Sequence, residues 1–215
     1  KAWYIPLTEK NVAFIQLLGA EIDDELKKVV KLNTTQGKHS LFAIHMPIRA
    51  APYAHQIDAF NFAMEIYERS KQGVAILADM GTGKTLITIA VAGALYLRGE
   101  IKRLLVVCPK SIVGVWENEF EKFADFDYTL AALGGDSIKK ADTLRNMGSV
   151  GLQVVVINYE SVWRLEQEIQ TWGADMIVCD ESSKIKNPQA KQAKALHKLG
   201  QQAMYKAILT GTPIT

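Results

Sequence analysis

The stretch VAILADMGTGKT, residues 74–85, decides the fold class of this 215-residue chain. An apolar run typical of a buried strand leads into a glycine-containing loop, and a helical pattern follows over residues 85–98. Strand, loop and helix in this order are the setting that a phosphate-binding loop requires. Ala78 stands where the usual pattern has its first glycine, so the match is close but incomplete. The stretch predicts a nucleotide site on an α/β fold.

The residue types in this loop are those that phosphate and metal binding require. Gly81 and Gly83 allow the tight turns that point successive backbone N–H groups at phosphate oxygens, at the positive end of the following helix. Lys84 is expected along the β- and γ-phosphates, and the Thr85 hydroxyl is expected on Mg²⁺. We therefore predict that ATP and Mg²⁺ are the cofactors. The predicted nucleotide-binding residues of the loop are Met80, Gly81, Thr82, Gly83, Lys84 and Thr85.

The second motif is acidic: DESS, at residues 180–183, follows another apolar run. Open α/β sheets place their chemistry where strands end in loops. Asp180 fits a carboxylate on the Mg²⁺ side, and Glu181 fits a general base or a residue that positions the attacking water. An acidic turn that caps a helix is the alternative for this pair taken alone. With the phosphate loop upstream, we predict that Lys84, Asp180 and Glu181 are the catalytic residues.

The composition is that of a globular intracellular domain. The chain is 48% hydrophobic and 22% charged, with a formal net charge of only +2. It therefore lacks a global electrostatic footprint for nucleic acid, and no apolar stretch is long enough to span a membrane. Cys108 and Cys179 are expected to be buried free thiols, because each ends a strand-like run. We expect a cytoplasmic location, no membrane contact and a monomeric state.

Strand and helix patterns alternate after residue 73. Parallel strands joined by helices follow from this alternation, so a mostly parallel sheet with helices on both faces is predicted. A helix with Phe60, Met64 and Tyr67 on one face is predicted to begin near His55. The predicted strands are 74–78, 104–108, 128–133, 153–157, 176–179 and 205–209, and the predicted crossover helices are 85–98, 112–123, 137–146, 161–171 and 189–199.

The first fifty residues have a different pattern. Two helical segments lie between two short apolar runs, and Pro47 and Pro52 then interrupt the chain. We predict an accessory α+β segment over residues 1–50 and the nucleotide-binding domain over residues 51–215.

The ordered motifs resemble the first RecA-like lobe of superfamily-two helicase-like ATPases, and specifically the Swi/Snf-type DNA translocases in versions found in bacteria and phages. ADMGTGKT (78–85) is similar to motif I, and LLVVCPKSIVGVWENEF (104–120) to motif Ia. INYESV (157–162) resembles motif Ib, DESSKIKN (180–187) motif II, and LTGTP (209–213) motif III. The resemblance covers residues 52–215.

The resemblance implies further site residues. Tyr53 and Gln56 match the aromatic residue and glutamine that precede the phosphate loop, and Gln56 would read the adenine edge. Motifs Ia and Ib would face the backbone of double-stranded DNA. The residues implied in nucleic-acid contact are Pro109, Lys110, Ser111, Asn158 and Tyr159, and those implied in coupling hydrolysis to DNA are Thr210, Gly211 and Thr212.

Two departures from the family pattern limit this transfer. Ser182 and Ser183 replace the usual Ala-His of motif II, so the histidine relay toward motif III is replaced by a hydroxyl. The second RecA-like lobe, with its arginine finger, is expected to be absent from these 215 residues and would be a partner of this lobe. We therefore expect the chain alone to bind nucleotide weakly and hydrolyse it slowly, since half of the catalytic cleft is missing and such an arginine contributes roughly 10³ to 10⁵ in rate.

Three functions remain open at this point. The favoured one is an ATP-driven motor that moves along duplex DNA or remodels what is bound to it. A strand-separating helicase or a restriction-type translocase subunit shares the same motifs. A nucleotide-gated adaptor with little turnover would use conformational switching as its output.

Overall fold

A sheet of six parallel strands lies at the centre of the computed structural model, which describes residues 45–70, 73–148 and 150–211. The order across the sheet is β1-β6-β5-β2-β4-β3, and each neighbouring pair is parallel. All the carboxyl ends therefore meet at one edge. The strands are β1 (Gly73–Leu77), β2 (Arg103–Cys108), β3 (Tyr128–Ala132), β4 (Leu152–Asn158), β5 (Met176–Asp180) and β6 (Tyr205–Thr210).

Helices precede and connect the strands. The described helices are α1 (Ala54–Ser70), α2 (Lys84–Leu97), α3 (Val113–Phe123), α4 (Ser137–Arg145), α5 (Tyr159–Val162), α6 (Glu166–Trp172) and α7 (Lys191–Gln202). Helices α1, α2 and α3 pack together, and α4 to α7 form a second group. The predicted α/β class is confirmed, and each predicted strand is found within one residue of its predicted bounds.

The central strands are buried on both faces, which explains their unbroken apolar runs. In β2 and β4, residues 104–107 and 154–157 are fully buried. On one side, alternate strand residues pack against α4 to α7, and the helices contribute Leu144, Val162, Ile169 and Leu199 to this cluster. The Phe60, Met64 and Tyr67 side chains of α1 are buried as predicted.

One helix prediction is wrong. Residues 161–171 were expected to form a single helix, but the structure has α5 and α6 with a turn between them. The Leu165 N–H donates to the Ser161 carbonyl at 3.1 Å and closes this turn. Val162, Leu165 and Ile169 are all buried, so the apolar spacing continues across the break. Periodicity alone therefore could not reveal it.

Residues 45–50 lie against the nucleotide-binding domain. Ile48 is buried and forms an antiparallel bridge with Ala124. The Arg49 N–H donates to the Phe123 carbonyl at 2.8 Å, and the Asp125 N–H donates to the Pro47 carbonyl at 3.1 Å. This domain therefore includes residues upstream of the predicted boundary at 51. The rest of the predicted α+β segment, residues 1–44, lies outside the described residues.

Both cysteines are buried free thiols, as predicted. Burial is the main reason that the pKa of each thiol is raised, to about 12 for Cys108 and about 12 for Cys179, and the nearby Asp180 charge adds to it. Among the described residues, no helix combines the length and apolar character needed to cross a bilayer.

Candidate nucleotide-binding site

The predicted phosphate loop and the Asp-Glu pair lie at the same edge of the sheet. The loop follows β1, the pair follows β5, and β6 lies between these strands. Neighbouring strands are about 4.8 Å apart, so roughly 10 Å separates β1 from β5. The Ala78 N–H donates to the Thr210 carbonyl at 3.3 Å, which joins the start of the loop to the end of β6. The fold therefore brings motif I, motif II and residues 209–211 of motif III to one edge of the sheet.

The phosphate loop is closed around the Lys84 ammonium group. Lys84 Nζ donates to the carbonyl oxygens of Ala78 at 2.7 Å and Asp79 at 3.0 Å. Gly81 and Gly83 have φ values of +80° and +86°, which glycine adopts at little cost. Gly83 is the residue before α2, so the loop passes directly into the positive end of a 14-residue helix. The loop N–H groups, the start of α2 and the Lys84 charge are together suited to an anion.

Gln56 on α1 fixes the loop from outside. Its Nε2 donates to the Thr82 carbonyl at 3.1 Å, and its Oε1 accepts the Tyr53 N–H at 2.9 Å. His55 Nε2 lies 3.0 Å from the same Thr82 oxygen, a contact that the sequence did not indicate. Both ends of the Gln56 amide are thus engaged within the protein. Its predicted contact with the adenine edge stays a prediction.

Two predicted nucleotide-binding side chains are open to solvent. Tyr53 is 72% exposed, and its ring stacks on that of His55 with centroids 5.9 Å apart. Met80, at the tip of the loop, is 85% exposed. Exposed apolar side chains beside an anion site are suited to a base or sugar that approaches from solvent.

Asp180 is held by protein donors on both carboxylate oxygens. The Trp116 indole N–H donates to Oδ2 at 3.0 Å, and the Glu181 backbone N–H donates to Oδ1 at 2.9 Å. The Tyr159 hydroxyl donates to the Asp180 carbonyl at 2.7 Å. Asp180 is only 7% exposed and Trp116 only 1%. The carboxylate therefore has a fixed orientation at the end of β5.

Burial is the main influence on the Asp180 carboxyl and raises its pKa. The donors from Trp116 and from the Glu181 backbone oppose this effect, because hydrogen bonds to a carboxylate favour its charged form. The Glu181 charge raises the pKa further, and the Lys84 charge lowers it. The lysine of motif I and the acidic pair of motif II thus share one electrostatic environment.

Glu181 has an unusual backbone conformation. Its φ of 52° and ψ of 53° are left-handed, and it is the one non-glycine residue with positive φ in the described part of the chain. Such conformations cost energy for residues with a Cβ and cluster at functional sites. The turn into the short 3₁₀ helix Ser182–Ile185 follows directly. The chain therefore turns immediately after the two acidic residues.

The predicted coupling residues adjoin the phosphate loop. Thr210 is buried at the end of β6. A Cβ placed on Gly211 would meet the Met80 side chain at 3.5 Å and the Ala78 carbonyl at 3.6 Å, so Gly211 lies against the loop. Thr212 lies outside the described residues.

The predicted nucleic-acid contacts divide into two groups. Lys110 and Ser111 are exposed after β2, and Pro109 beside them is half-buried. Asn158 and Tyr159 are buried. Their contact with DNA stays a prediction.

A buried lysine lies beneath Asn158. Lys140 Nζ donates to Ser161 Oγ at 2.6 Å and approaches Asn158 Oδ1 at 3.3 Å. Burial lowers the Lys140 pKa, and the charges of Lys110 and Arg164 lower it further. Sequence reasoning missed this residue, because a single lysine in a polar helix gives no signal.

The residues at this edge fit a magnesium ion. Mg²⁺ prefers oxygen ligands in near-octahedral geometry and keeps several waters. The Asp180 carboxylate has about four acceptor sites, two of which are occupied by protein donors. Thr85 lies in the first turn of α2 and supplies a hydroxyl. A single carboxylate and a hydroxyl, completed by water and phosphate, form a typical Mg²⁺–nucleotide set.

Comparison with known proteins identifies relatives of this chain. The SNF2-related domain profile matches residues 55–215. The chain is 32% identical over 185 residues to the TATA-binding protein-associated factor MOT1 of Saccharomyces cerevisiae, covering 80% of this chain and 10% of that protein. It is 34% identical over 147 residues to the DNA repair and recombination protein RAD54B of Homo sapiens, covering 65% and 16%.

A solved structure is also similar. The SWI2/SNF2 ATPase core of Sulfolobus solfataricus in complex with dsDNA matches with a TM-score of 0.67 and 31% identity, over 80% of this chain and 35% of that one. The likeness confirms the predicted RecA-like fold. The chain spans between a tenth and about a third of the lengths of these relatives.

Proposed function

The chain belongs to the SNF2-related domain family of DNA-dependent ATPases, and on this premise we propose that it is the ATP-binding lobe of a double-stranded DNA translocase. The observation that carries the proposal is the meeting of the Lys84 loop and the Asp180–Glu181 pair at one edge of the sheet. A phosphate cradle and an acidic pair in this relation are the parts that nucleotide hydrolysis requires.

Nucleotide binding begins with the loop. Lys84 Nζ exchanges the Ala78 and Asp79 carbonyls for the β- and γ-phosphate oxygens, while the loop N–H groups and the start of α2 bind the remaining charge. Gln56 keeps Thr82 in place during this exchange. Tyr53, exposed beside the loop, offers its ring to the base.

Asp180 and Glu181 have different tasks. Thr85 and Asp180 would hold Mg²⁺, which when bound neutralises charge on the phosphates. Asp180 is fixed by its two donors and would hold the metal with its remaining acceptor sites. Glu181 follows it on the bent backbone, where its carboxylate accepts a proton from the water that attacks the γ-phosphate.

Lys110 and Ser111 are the proposed contacts with the DNA backbone. They are exposed at the carboxyl edge, where a 3₁₀ turn, Lys110–Ile112, leads into α3. A side-chain charge next to backbone N–H groups suits a phosphate and reads no base. Binding through such contacts weakens steeply with salt.

The decisive experiment is the ATPase rate with duplex DNA, with single strands and without nucleic acid. It is made on the 215-residue chain alone and on the chain fused to the second RecA-like lobe of a relative. We expect the chain alone to hydrolyse ATP slowly and the two-lobed protein to be strongly stimulated by duplex. Lys84→Ala and Glu181→Gln should abolish turnover, and Glu181→Gln should still bind ATP.

Lys110→Ala and Lys194→Ala form a matched pair for the DNA contact, since both lysines are exposed. Only the first should reduce duplex stimulation and lessen its salt dependence. Stimulation by single strands instead of duplex would favour a strand-separating helicase. Nucleotide binding without turnover on any nucleic acid would favour the nucleotide-gated adaptor.

A further inference from the structure

We infer that Trp116 is a positioning residue for the magnesium site, in which its indole N–H holds the Asp180 carboxylate in the orientation that receives the metal and its water. The inference rests on the proposed function, because it assigns Asp180 to the metal. Neither the motif pattern nor the composition of the chain gave this role to Trp116.

The contact is direct and buried. The indole N–H lies 3.0 Å from Asp180 Oδ2, and both residues are almost completely enclosed. An indole nitrogen can only donate, so this bond satisfies the one polar group of the tryptophan. A hydrogen bond to a carboxylate within a poorly solvated site is stronger than one between neutral groups.

The surroundings leave this donor without a substitute. The other oxygen, Oδ1, is occupied by the Glu181 N–H, and Tyr159 binds only the backbone carbonyl. The Lys84 ammonium group is bonded to the loop carbonyls. Loss of the indole N–H would therefore leave Oδ2 buried without a protein donor.

The carboxylate would then be free to rotate, and this rotation weakens its hold on a metal. Partners that orient a metal ligand typically contribute about 10- to 100-fold in metal affinity or activity. We expect Trp116→Phe to weaken divalent-metal binding in the presence of nucleotide by about tenfold. Nucleotide binding without metal should stay unchanged, because Trp116 has no described hydrogen bond to the phosphate loop.

The chain contains its own control. Trp172 is also buried, but its indole N–H has no hydrogen-bond partner among the described residues. Trp172→Phe therefore makes the same chemical change without removing a donor from a carboxylate. Any effect shared by the two variants reflects packing, and an effect confined to Trp116→Phe reflects the bond to Asp180.

The test is Mn²⁺ binding, measured by electron paramagnetic resonance with the 215-residue chain and a non-hydrolysable ATP analogue. Wild type and Trp172→Phe should agree, and Trp116→Phe should bind Mn²⁺ about tenfold more weakly. Equal Mn²⁺ affinity in all three proteins would overturn the inference. Failure of the wild type to bind the nucleotide would instead contradict the proposed function.

A second measurement tests the inference without any substitution, in case Trp116→Phe does not fold. In the wild-type chain, the ¹⁵N-indole resonance of Trp116 should shift when Mg²⁺ is added to the nucleotide-bound protein, while that of Trp172 stays in place. A Trp116 resonance that does not respond to saturating Mg²⁺ would also overturn the inference.

Discussion

Gly83 and Gly81 have nearly the same backbone conformation but different surroundings. A Cβ on Gly83 would lie 2.3 Å from Gln56 Nε2, whereas a Cβ on Gly81 would meet nothing within 4 Å. Substitution at either position carries the cost of a left-handed conformation. Only at Gly83 would the new atom also displace the glutamine that holds the loop.

Gly83→Ala should therefore be more destabilising than Gly81→Ala. Overpacking typically costs about 1–3 kcal/mol, so we expect a difference of that size in the free energy of unfolding, measured by urea denaturation. Gly83→Ala should also weaken nucleotide binding, because Gln56 would lose its bond to Thr82. Equal stability of the two variants would show that Gln56 moves aside freely.

Asp180 makes the stability of the folded protein depend on pH. Its folded-state pKa is raised, chiefly by burial, so the folded protein holds this proton more tightly than the unfolded chain. The resulting stabilisation is fully present below the ordinary pKa of aspartate and is lost as the pH rises through the folded-state value. Near neutral pH, the buried Asp180 charge therefore lowers the free energy of unfolding.

We expect Asp180→Asn to change the free energy of unfolding by an amount that depends on pH. The asparagine amide offers one acceptor oxygen to the two donors, so one hydrogen bond is lost at every pH, while the variant carries no buried charge. Relative to the wild type, the variant should be most stable near pH 7 and lose ground as the pH is lowered, because the wild-type carboxyl then takes up its proton. Urea denaturation over a pH series measures this difference. Asp58→Asn, at an exposed position of α1, is the control and should change stability little at any pH. A stability difference that is independent of pH would contradict the assignment to Asp180.

Residue types and spacing were sufficient to place Lys84, Asp180 and Glu181, since strand ends and glycines are local signals. The bond from Trp116 to Asp180 was not predictable in this way. Helical spacing indicates which face of α3 is apolar, but it does not indicate what lies opposite one polar atom on that face. Tyr159 shows the same limit, because its motif suggested a surface and its packing is internal.

Among the elements, α2 and α7 each contain a glycine, and the two differ in packing. A Cβ on Gly93 in α2 would lie 2.3 Å from the Phe126 ring and 2.8 Å from Pro47. On Gly200 in α7, the nearest atom would be 3.8 Å away, on the flexible Lys206 side chain. Gly93 thus permits the close approach of α2 to Phe126 and Pro47, whereas a methyl group at Gly200 would fit without a clash.

Gly93→Ala should destabilise the protein by about 1–3 kcal/mol through overpacking, despite the better helix propensity of alanine. Gly200→Ala should raise stability by up to about 1 kcal/mol, because its helix gains propensity without a clash. Thermal unfolding followed by circular dichroism compares the two variants. A stabilised Gly93→Ala protein would show that Phe126 and Pro47 can move to accommodate the added methyl group without loss of stability.

The strands were predictable at the scale of elements because burial on both faces leaves continuous apolar runs. The turn between α5 and α6 was not predictable, because Val162, Leu165 and Ile169 keep helical spacing across it. The turn is determined by how α5 and α6 pack on the sheet, and residue spacing along the sequence carries no information about this packing.

For the molecule as a whole, the domain depends on a short segment upstream of α1. Ile48, Arg49 and Pro47 join the end of α3 through the bridge and hydrogen bonds described above. Pro47 also lies against Gly93. The prolines had suggested a domain boundary at this point, because composition reveals a break in regular structure but not which residues the interrupted segment contacts.

A chain of residues 45–215 should therefore be more stable than one of residues 52–215. Burial of an isoleucine side chain contributes about 1.5–3 kcal/mol, so a loss of this size is expected in the free energy of urea unfolding. Ile48→Ala within the longer chain should account for most of the difference. If the two chain lengths are equally stable, the segment does not contribute to the folded domain.

The two enclosed, weakly acidic thiols make the chain convenient for spectroscopy. Maleimides react with thiolates, and Cys108 and Cys179 provide almost none at neutral pH. A cysteine introduced at the exposed Leu97, at the far end of the 14-residue α2, would be the main labelling position. A dye there would lie roughly 20 Å from the phosphate loop, a distance over which energy transfer from a fluorescent nucleotide is efficient. Arrival of the nucleotide could then be followed in real time with both native cysteines retained.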